Sequence, residues 1–181
     1  SFASERLYAG KTLASRSSEL GFKRGGEIAQ VLVDIGDVVE KDQVLARLDS
    51  RTLASNLNQA EANTALAQAN LSAAKAEVRL AAKTEVRFRT LLEQGNISQQ
   101  IYDEAQLSVQ TKQAQEQVAQ ANIKRALAVV NANKIALAEA AIRAPFDGII
   151  QSRYLDEGTQ ILGSTPALKL IELGPIKAHI G

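Results

Sequence analysis

Between Arg51 and Ala141 the chain holds no proline and a single glycine, Gly95, which splits those 91 residues into two arms, Arg51–Gln94 and Asn96–Ala141. Glycine and proline are the residues that interrupt helices, so each arm reads as one helix and Gly95 as the bend of a hairpin. At about 1.5 Å rise per residue each arm reaches on the order of 60 Å, several times the mean helix of a globular domain. A rod that long is no enzyme core. It serves as a reach, a spacer or a wall element, and its tip and base carry whatever specificity it has.

The hairpin takes half of the 181 residues and leaves about 90 for a compact base, so the core is modest. Lys and Arg total 21 against 20 Asp and Glu, a net charge of +1 that gives no reason to expect nucleic acid as a partner. Cysteine is absent, which excludes a disulfide framework, a thiolate nucleophile and sulfur-ligated metal. The sole histidine, His179, lies at the very end of the chain and suits a half-exposed strand position better than a ligand or base. Asp34, Asp37, Asp147, Asp156 and Glu157 fall at turns, where carboxylates bond locally. Without a phosphate-binding glycine loop or a metal cluster, no enzyme and no cofactor are expected. No apolar run approaches the 18 residues of a membrane span. The start, Ser1-Phe2-Ala3, in a chain without methionine reads as a processed chain or an excised fragment, compatible with an anchor ahead of it.

Residues 26–49 alternate short β-branched runs with Gly-Asp and Lys-Asp turns, a strand-turn-strand signal. The pattern returns after the hairpin at a constant offset of 122, pairing Gly26 with Gly148, Ile28 with Ile150, Gly36 with Gly158, Val39 with Ile161 and Leu48 with Leu170. Neither half, at roughly 25 residues, has enough apolar surface to fold alone, so the two are expected to pack face to face as one small sandwich with the hairpin inserted between them. Gly36 and Gly158 would supply positive φ in tight turns. Asp49 or Ser50 would cap the first helix.

Along the first arm Leu53, Leu57, Ala60, Thr64, Ala67, Leu71, Ala74, Val78, Ala81, Glu85, Phe88 and Leu92 recur at alternating spacings of four and three, a heptad seam. On the return arm Leu107, Thr111, Ala114, Val118, Ala121, Ala128, Ala132, Ile135 and Ile142 share that spacing, with Arg125 and Glu139 as misfits. A second apolar row, Ile123, Leu127, Val130 and Leu137, lies off this seam. It is expected to meet another copy of the chain, or else to broaden the hairpin's own seam. With 22 alanines between Arg51 and Ala141, the helices approach closely but each turn buries little area.

The bend reads Arg87-Phe-Arg-Thr-Leu91-Leu-Glu-Gln-Gly95-Asn-Ile-Ser98, followed by Tyr102-Asp103-Glu-Ala105. Arg87 and Leu91 share a helix face, Gly95 suits the left-handed position past a helix end, and Ser98 opens the next arm. Each has a plain role as well: a solvated cation near a helix C-terminus, a seam filler and an N-cap. An Arg, a Leu four residues on and a Ser seven beyond that, at the only bend of a hairpin inserted in a split β domain, resembles the periplasmic adaptor proteins, also called membrane fusion proteins, of tripartite efflux pumps. Arg143-Ala-Pro-Phe-Asp-Gly148 resembles the family's re-entry into its second half-domain.

The resemblance implies an α+β fold in which residues 25–49 and 143–174 form a lipoyl-like sandwich, residues 50–142 the coiled-coil hairpin with its tip near 95–97, and residues 1–24 and 175–181 cut-short strands leading to a β-barrel. It implies a periplasmic adaptor, associated with the inner membrane through segments outside this sequence. Arg87, Leu91 and Ser98 would engage a TolC-like outer-membrane channel, and a trimer or hexamer of adaptors would meet an inner-membrane transporter of the resistance-nodulation-division type. An adaptor of a type I secretion or ATP-driven efflux system has the same architecture. From another class, a lipoyl or biotinyl carrier domain with an acquired coiled coil remains open, although the turn that carries the modified lysine in such domains is here replaced by the hairpin and Lys41 sits in a different turn.

Overall fold

A computed structural model describes residues 16–172. Its elements are β1 (Ser17–Gly21), β2 (Gly26–Val31), β3 (Val38–Val39), β4 (Val44–Leu48), α1 (Arg51–Glu93), α2 (Gln99–Ala138), β5 (Ala141–Arg143), β6 (Gly148–Arg153), β7 (Gln160–Ile161) and β8 (Pro166–Glu172). They form two compact units, one built from the stretches up to Arg51 and from Leu137 onward, the other from Thr52–Ala136.

The first unit is a pair of four-stranded antiparallel sheets, ordered β1-β8-β6-β3 and β5-β4-β2-β7. β2, β3 and β4 start 122 residues before β6, β7 and β8, so the sequence repeat is a structural one. The halves do not merely lie face to face. β3 pairs with β6 and β7 with β2, so each half lends a strand to the other's sheet. The turns carry the same exchange. Gly36 N–H donates to the Ile150 carbonyl and Ile150 N–H to that of Asp37, while Gly158 N–H donates to Ile28 and Ile28 N–H to Thr159, all at 2.8–3.0 Å. Gly36 and Gly158 hold φ of +94° and +78°, as the turns require. The core consists of Ile28, Val39 and Leu48, their counterparts Ile150, Ile161 and Leu170, and Phe22, Leu45 and Leu168, all buried.

β1 corrects one boundary. Residues 17–21, grouped from the sequence with barrel-connecting strands, pair along β8 as the outer strand of the first sheet. Their apolar face is supplied by Leu20, and Phe22 just beyond enters the core. The expected strands before residue 16 and at 175–181 lie outside the described residues.

The second unit is the hairpin, with helices of 43 and 40 residues. Asp49 supplies the oxygen at the start of α1: its Oδ1 accepts from the Arg51 amide at 3.1 Å, and its carboxylate pairs with the Arg51 guanidinium at 2.6 Å. Every member of the first-arm seam from Leu53 to Leu92 is buried or half-buried.

The return arm turns the other way. Leu107, Val118 and Ile135, expected in the seam, are 62%, 62% and 51% exposed. The covered stripe instead runs through Tyr102, Ala105, Val109, Lys112, Glu116, Ala119, Ile123, Ala126, Val130, Asn133 and Leu137. Ile123, Val130 and Leu137 therefore belong to the hairpin's own interface, whereas Leu127 stays exposed. The reason lies at the bend: its conformation fixes the rotation of α2 about its axis, and that phase outweighs the richer apolar count of the other row. Polar members are tolerated because long side chains reach outward. Lys112 Nζ bonds Glu77 Oε2 on α1 at 2.7 Å while its stem lies along the seam.

Candidate functional site

At the bend, α1 closes with paired bonds that satisfy its last carbonyls. Gly95 N–H donates to Leu92 and Asn96 N–H to Leu91, both at 2.9 Å, with Gly95 at φ +73°. This is the Schellman arrangement, and it requires a left-handed residue where Gly95 stands. Ser98 opens α2 as an N-cap: its Oγ accepts from the Ile101 amide at 3.4 Å. Leu91 is half-buried, whereas Arg87 and Ser98 are exposed. The Arg87 guanidinium lies 5.6 Å from the Phe88 ring centroid, so a half-buried aromatic backs the cation at the end of the rod. The plain role expected for Ser98 is therefore present, together with an exposed Arg and a partly exposed Leu at one end of the hairpin.

Just below the bend lies a polar cluster that the sequence reading absorbed into the seam. Glu85 is 8% exposed. Its Oε1 accepts from the Tyr102 hydroxyl at 2.6 Å and from Arg89 Nη2 at 2.8 Å, and its Oε2 from the same Arg89 nitrogen at 3.0 Å. The Tyr102 oxygen accepts in turn from Gln106 Nε2 at 3.1 Å and Arg89 Nε at 3.3 Å. The Tyr102 hydroxyl, then Arg89, holds the Glu85 carboxyl below the usual glutamate range. Bonds to Tyr102, then to Glu85, raise Arg89 above the usual arginine range. The signal in the sequence was a lone charge at a heptad position, for which burial demands a partner.

Among the described residues no group of His, Cys, Asp or Glu is placed to hold a metal, and no helix is long and apolar enough to cross a membrane. What the hairpin offers is surface: a tip, and outer apolar rows.

The profile of the CzcB-like, barrel-sandwich hybrid domain matches residues 18–170. The chain belongs to this family. The hybrid domain and its hairpin are 30% identical over 174 residues to the macrolide export protein MacA of Escherichia coli O157:H7, covering 96% of this chain and 47% of that one. Among solved structures, MacA from Actinobacillus actinomycetemcomitans superposes with a TM-score of 0.80 at 28% identity, over 91% of this chain and 51% of its own. The membrane fusion protein Spr0693 of Streptococcus pneumoniae R6 shares the fold, with a TM-score of 0.64 at 16% identity over 90% of this chain and 62% of that one. The chain spans about half the length of the curated relatives it matches. Family and fold expected from the resemblance are thus borne out: a split β-sandwich of the membrane fusion type, interrupted by an antiparallel helical hairpin.

Proposed function

We propose that this chain is the hairpin-bearing part of a periplasmic adaptor that joins an inner-membrane transporter to a TolC-like outer-membrane channel in an efflux pump. The observation that carries the reading is the tip: two helices of about forty residues closed by a Schellman turn at Gly95, with Arg87, Leu91 and Ser98 at the closed end. Arg87 offers a rigid fork of donors suited to the carbonyls at the end of another helical hairpin. Leu91 adds an apolar anchor, and Ser98 a small donor and acceptor that permits close approach. The likeness to the macrolide export protein MacA supports a bulky, partly apolar export substrate. Energy comes from the pump, and the adaptor acts mechanically.

Copies of the chain line up as a trimer or hexamer. The return-arm row of Leu107, Val118 and Ile135, with Leu66 and Leu80 on α1, replaces the row of Ile123, Leu127, Val130 and Leu137 as the contact between copies.

The test is binding of the purified full-length adaptor to the channel, compared with Arg87→Asp and Ser98→Asp, alongside export in cells. Retained binding and export by both variants would sink the tip reading. Two pump classes remain distinct in the same cells. Export that stops with a protonophore while ATP is maintained marks a transporter of the resistance-nodulation-division type, and export that continues marks an ATP-driven one.

A further inference from the structure

The polar cluster behind the bend is not needed to align the two helices. β4 and β5, the strands that flank the hairpin in the chain, pair with each other, and the short Schellman-closed bend joins the far ends, so the register is fixed without it. Yet burying the Glu85 carboxylate at 8% exposure carries a desolvation cost. What the cluster does is immobilise an arginine.

Arg89 Nε donates to the Tyr102 hydroxyl at 3.3 Å, and its Nη2 to the two Glu85 oxygens at 2.8 and 3.0 Å. Tyr102 is held in turn, because its hydroxyl donates to Glu85 at 2.6 Å and accepts from Gln106 at 3.1 Å. The guanidinium is thus anchored along one edge by residues of both helices. Its side chain nevertheless stays 55% exposed, and Nη1 makes no hydrogen bond among the described residues. Two N–H groups on a fixed plane are left for a partner.

Arg87 is different. It lies over Phe88 without a hydrogen bond or ion pair among the described residues, and residues two apart on a helix face different sides. Arg89 also stands nearer the bend than Arg87, so a partner that reaches Arg87 along the rod passes its level. Ordering a free arginine at an interface costs side-chain entropy, and for Arg89 that ordering is complete before any partner arrives. Glu85 offsets its charge. The pair therefore suits neutral acceptors, such as the carbonyls left open at a helix C-terminus, better than a carboxylate.

We propose that Arg89 is a second recognition residue of the hairpin end: a pre-aligned donor to the open carbonyls of a channel's helical hairpin, with Glu85 and Tyr102 as its positioning residues. The inference rests on the tip meeting such a channel, and adds Arg89 to Arg87, Leu91 and Ser98.

Channel binding by the purified full-length adaptor, read by surface plasmon resonance, tests it in Arg89→Lys, Tyr102→Phe and Arg87→Asp. Arg89→Lys keeps the cation and its pairing with Glu85 but loses the fork, and should weaken binding about tenfold. Tyr102→Phe keeps Arg89 and that pairing but frees Nε, and should weaken binding about threefold. Helicity and melting temperature should hold in both. In about 1 M salt, where the screening length falls to about 3 Å, the loss in Arg89→Lys should persist, because the Arg89–Glu85 pair has little net charge. Unaltered affinity in Arg89→Lys overturns the inference. So does a loss that disappears in high salt, which marks a plain cation, or one that comes with lower melting, which marks a structural brace. Weakened binding by Arg87→Asp with full binding by Arg89→Lys keeps the tip and defeats Arg89 alone. Full binding by all three variants defeats both.

Discussion

Gly36 donates its amide to the carbonyl of Ile150 at 2.8 Å, and 122 residues later Gly158 does the same to Ile28 at the same distance. Each half of the sandwich therefore closes its turn on the central strand of the other half. The exchange extends to residues that are not glycine, since Asp42 and Ser164, again 122 apart, share φ of +66° and donate their amides to Ala144 and Phe22. The two halves are bound into one cooperative body, although the chain leaves for the whole hairpin between them.

Because the halves are equivalent, matched substitutions should cost alike. A Cβ at Gly36 or Gly158 meets nothing within 4 Å, so alanine at either costs only the backbone preference against positive φ, about 1–2 kcal/mol. At Gly148, where φ is not positive, the added carbon instead runs into the Ile171 backbone carbonyl, which cannot swing away, so the cost lies at or above the upper end of the roughly 1–3 kcal/mol of overpacking. Thermal denaturation followed by circular dichroism should rank Gly36→Ala equal to Gly158→Ala and both above Gly148→Ala.

Leu170 is fully buried where β8 lies between β1 and β6. Leu170→Ala should lower stability by about 2–5 kcal/mol. Since strands of both halves meet there, urea denaturation should show the whole sandwich lost in one transition. A two-step curve would indicate halves that unfold separately.

The start of α1 should fail in acid. The side-chain bond from Arg51, then its backbone amide, holds the Asp49 carboxyl down to about 2 from an ordinary 3.8. A depressed carboxylate contributes stability above its unfolded pKa and loses it as pH falls through the folded one, so the window runs from about pH 4 to pH 2. Carboxyl-carbon NMR titration should place Asp49 near the lower value. Asp49→Asn should flatten stability across that window.

The two apolar rows of α2 should separate by substitution. Val130 faces the partner helix and is buried, whereas Val118 is 62% exposed. Val130→Glu should destabilise the hairpin by about 2–4 kcal/mol, since it buries an unpaired charge. Val118→Glu should leave melting unchanged and weaken self-association, read as a lower weighted mass in analytical ultracentrifugation at high concentration. A Val118→Glu chain that associates as before would move the contact between copies elsewhere.

The tip variants should be selective. Arg87→Asp and Ser98→Asp keep the Schellman bonds of Gly95 and Asn96 and should retain helicity, while channel affinity falls at least tenfold, about 1.4 kcal/mol. Surface plasmon resonance against immobilised channel reads the loss.

Much of this was legible in the residues alone. The bend at Gly95, the two helices, the first-arm seam and the 122-residue repeat follow from local rules: where glycine and proline fall, and a period of 3.5 against one of 2. The return arm carried two apolar rows, and periodicity favoured the wrong one, because counting apolar positions cannot give the rotation that a bend imposes on the helix leaving it. Glu85 reads from the sequence as one more seam position for the same reason. Its partner Tyr102 is 17 residues away and on another helix, beyond any local pattern.

The sequence by itself determined the inventory: two long helices, two similar β segments, and Arg87, Leu91 and Ser98 around one glycine. Only the tertiary structure decided how these pieces interlock, with β3 and β7 traded between sheets, Ile123, Val130 and Leu137 turned inward, and Glu85 satisfied across the hairpin. The division has a physical cause. Propensity and period act between near neighbours in the chain, whereas strand exchange, helix phase and the pairing of a buried charge are fixed by contacts between residues far apart in it.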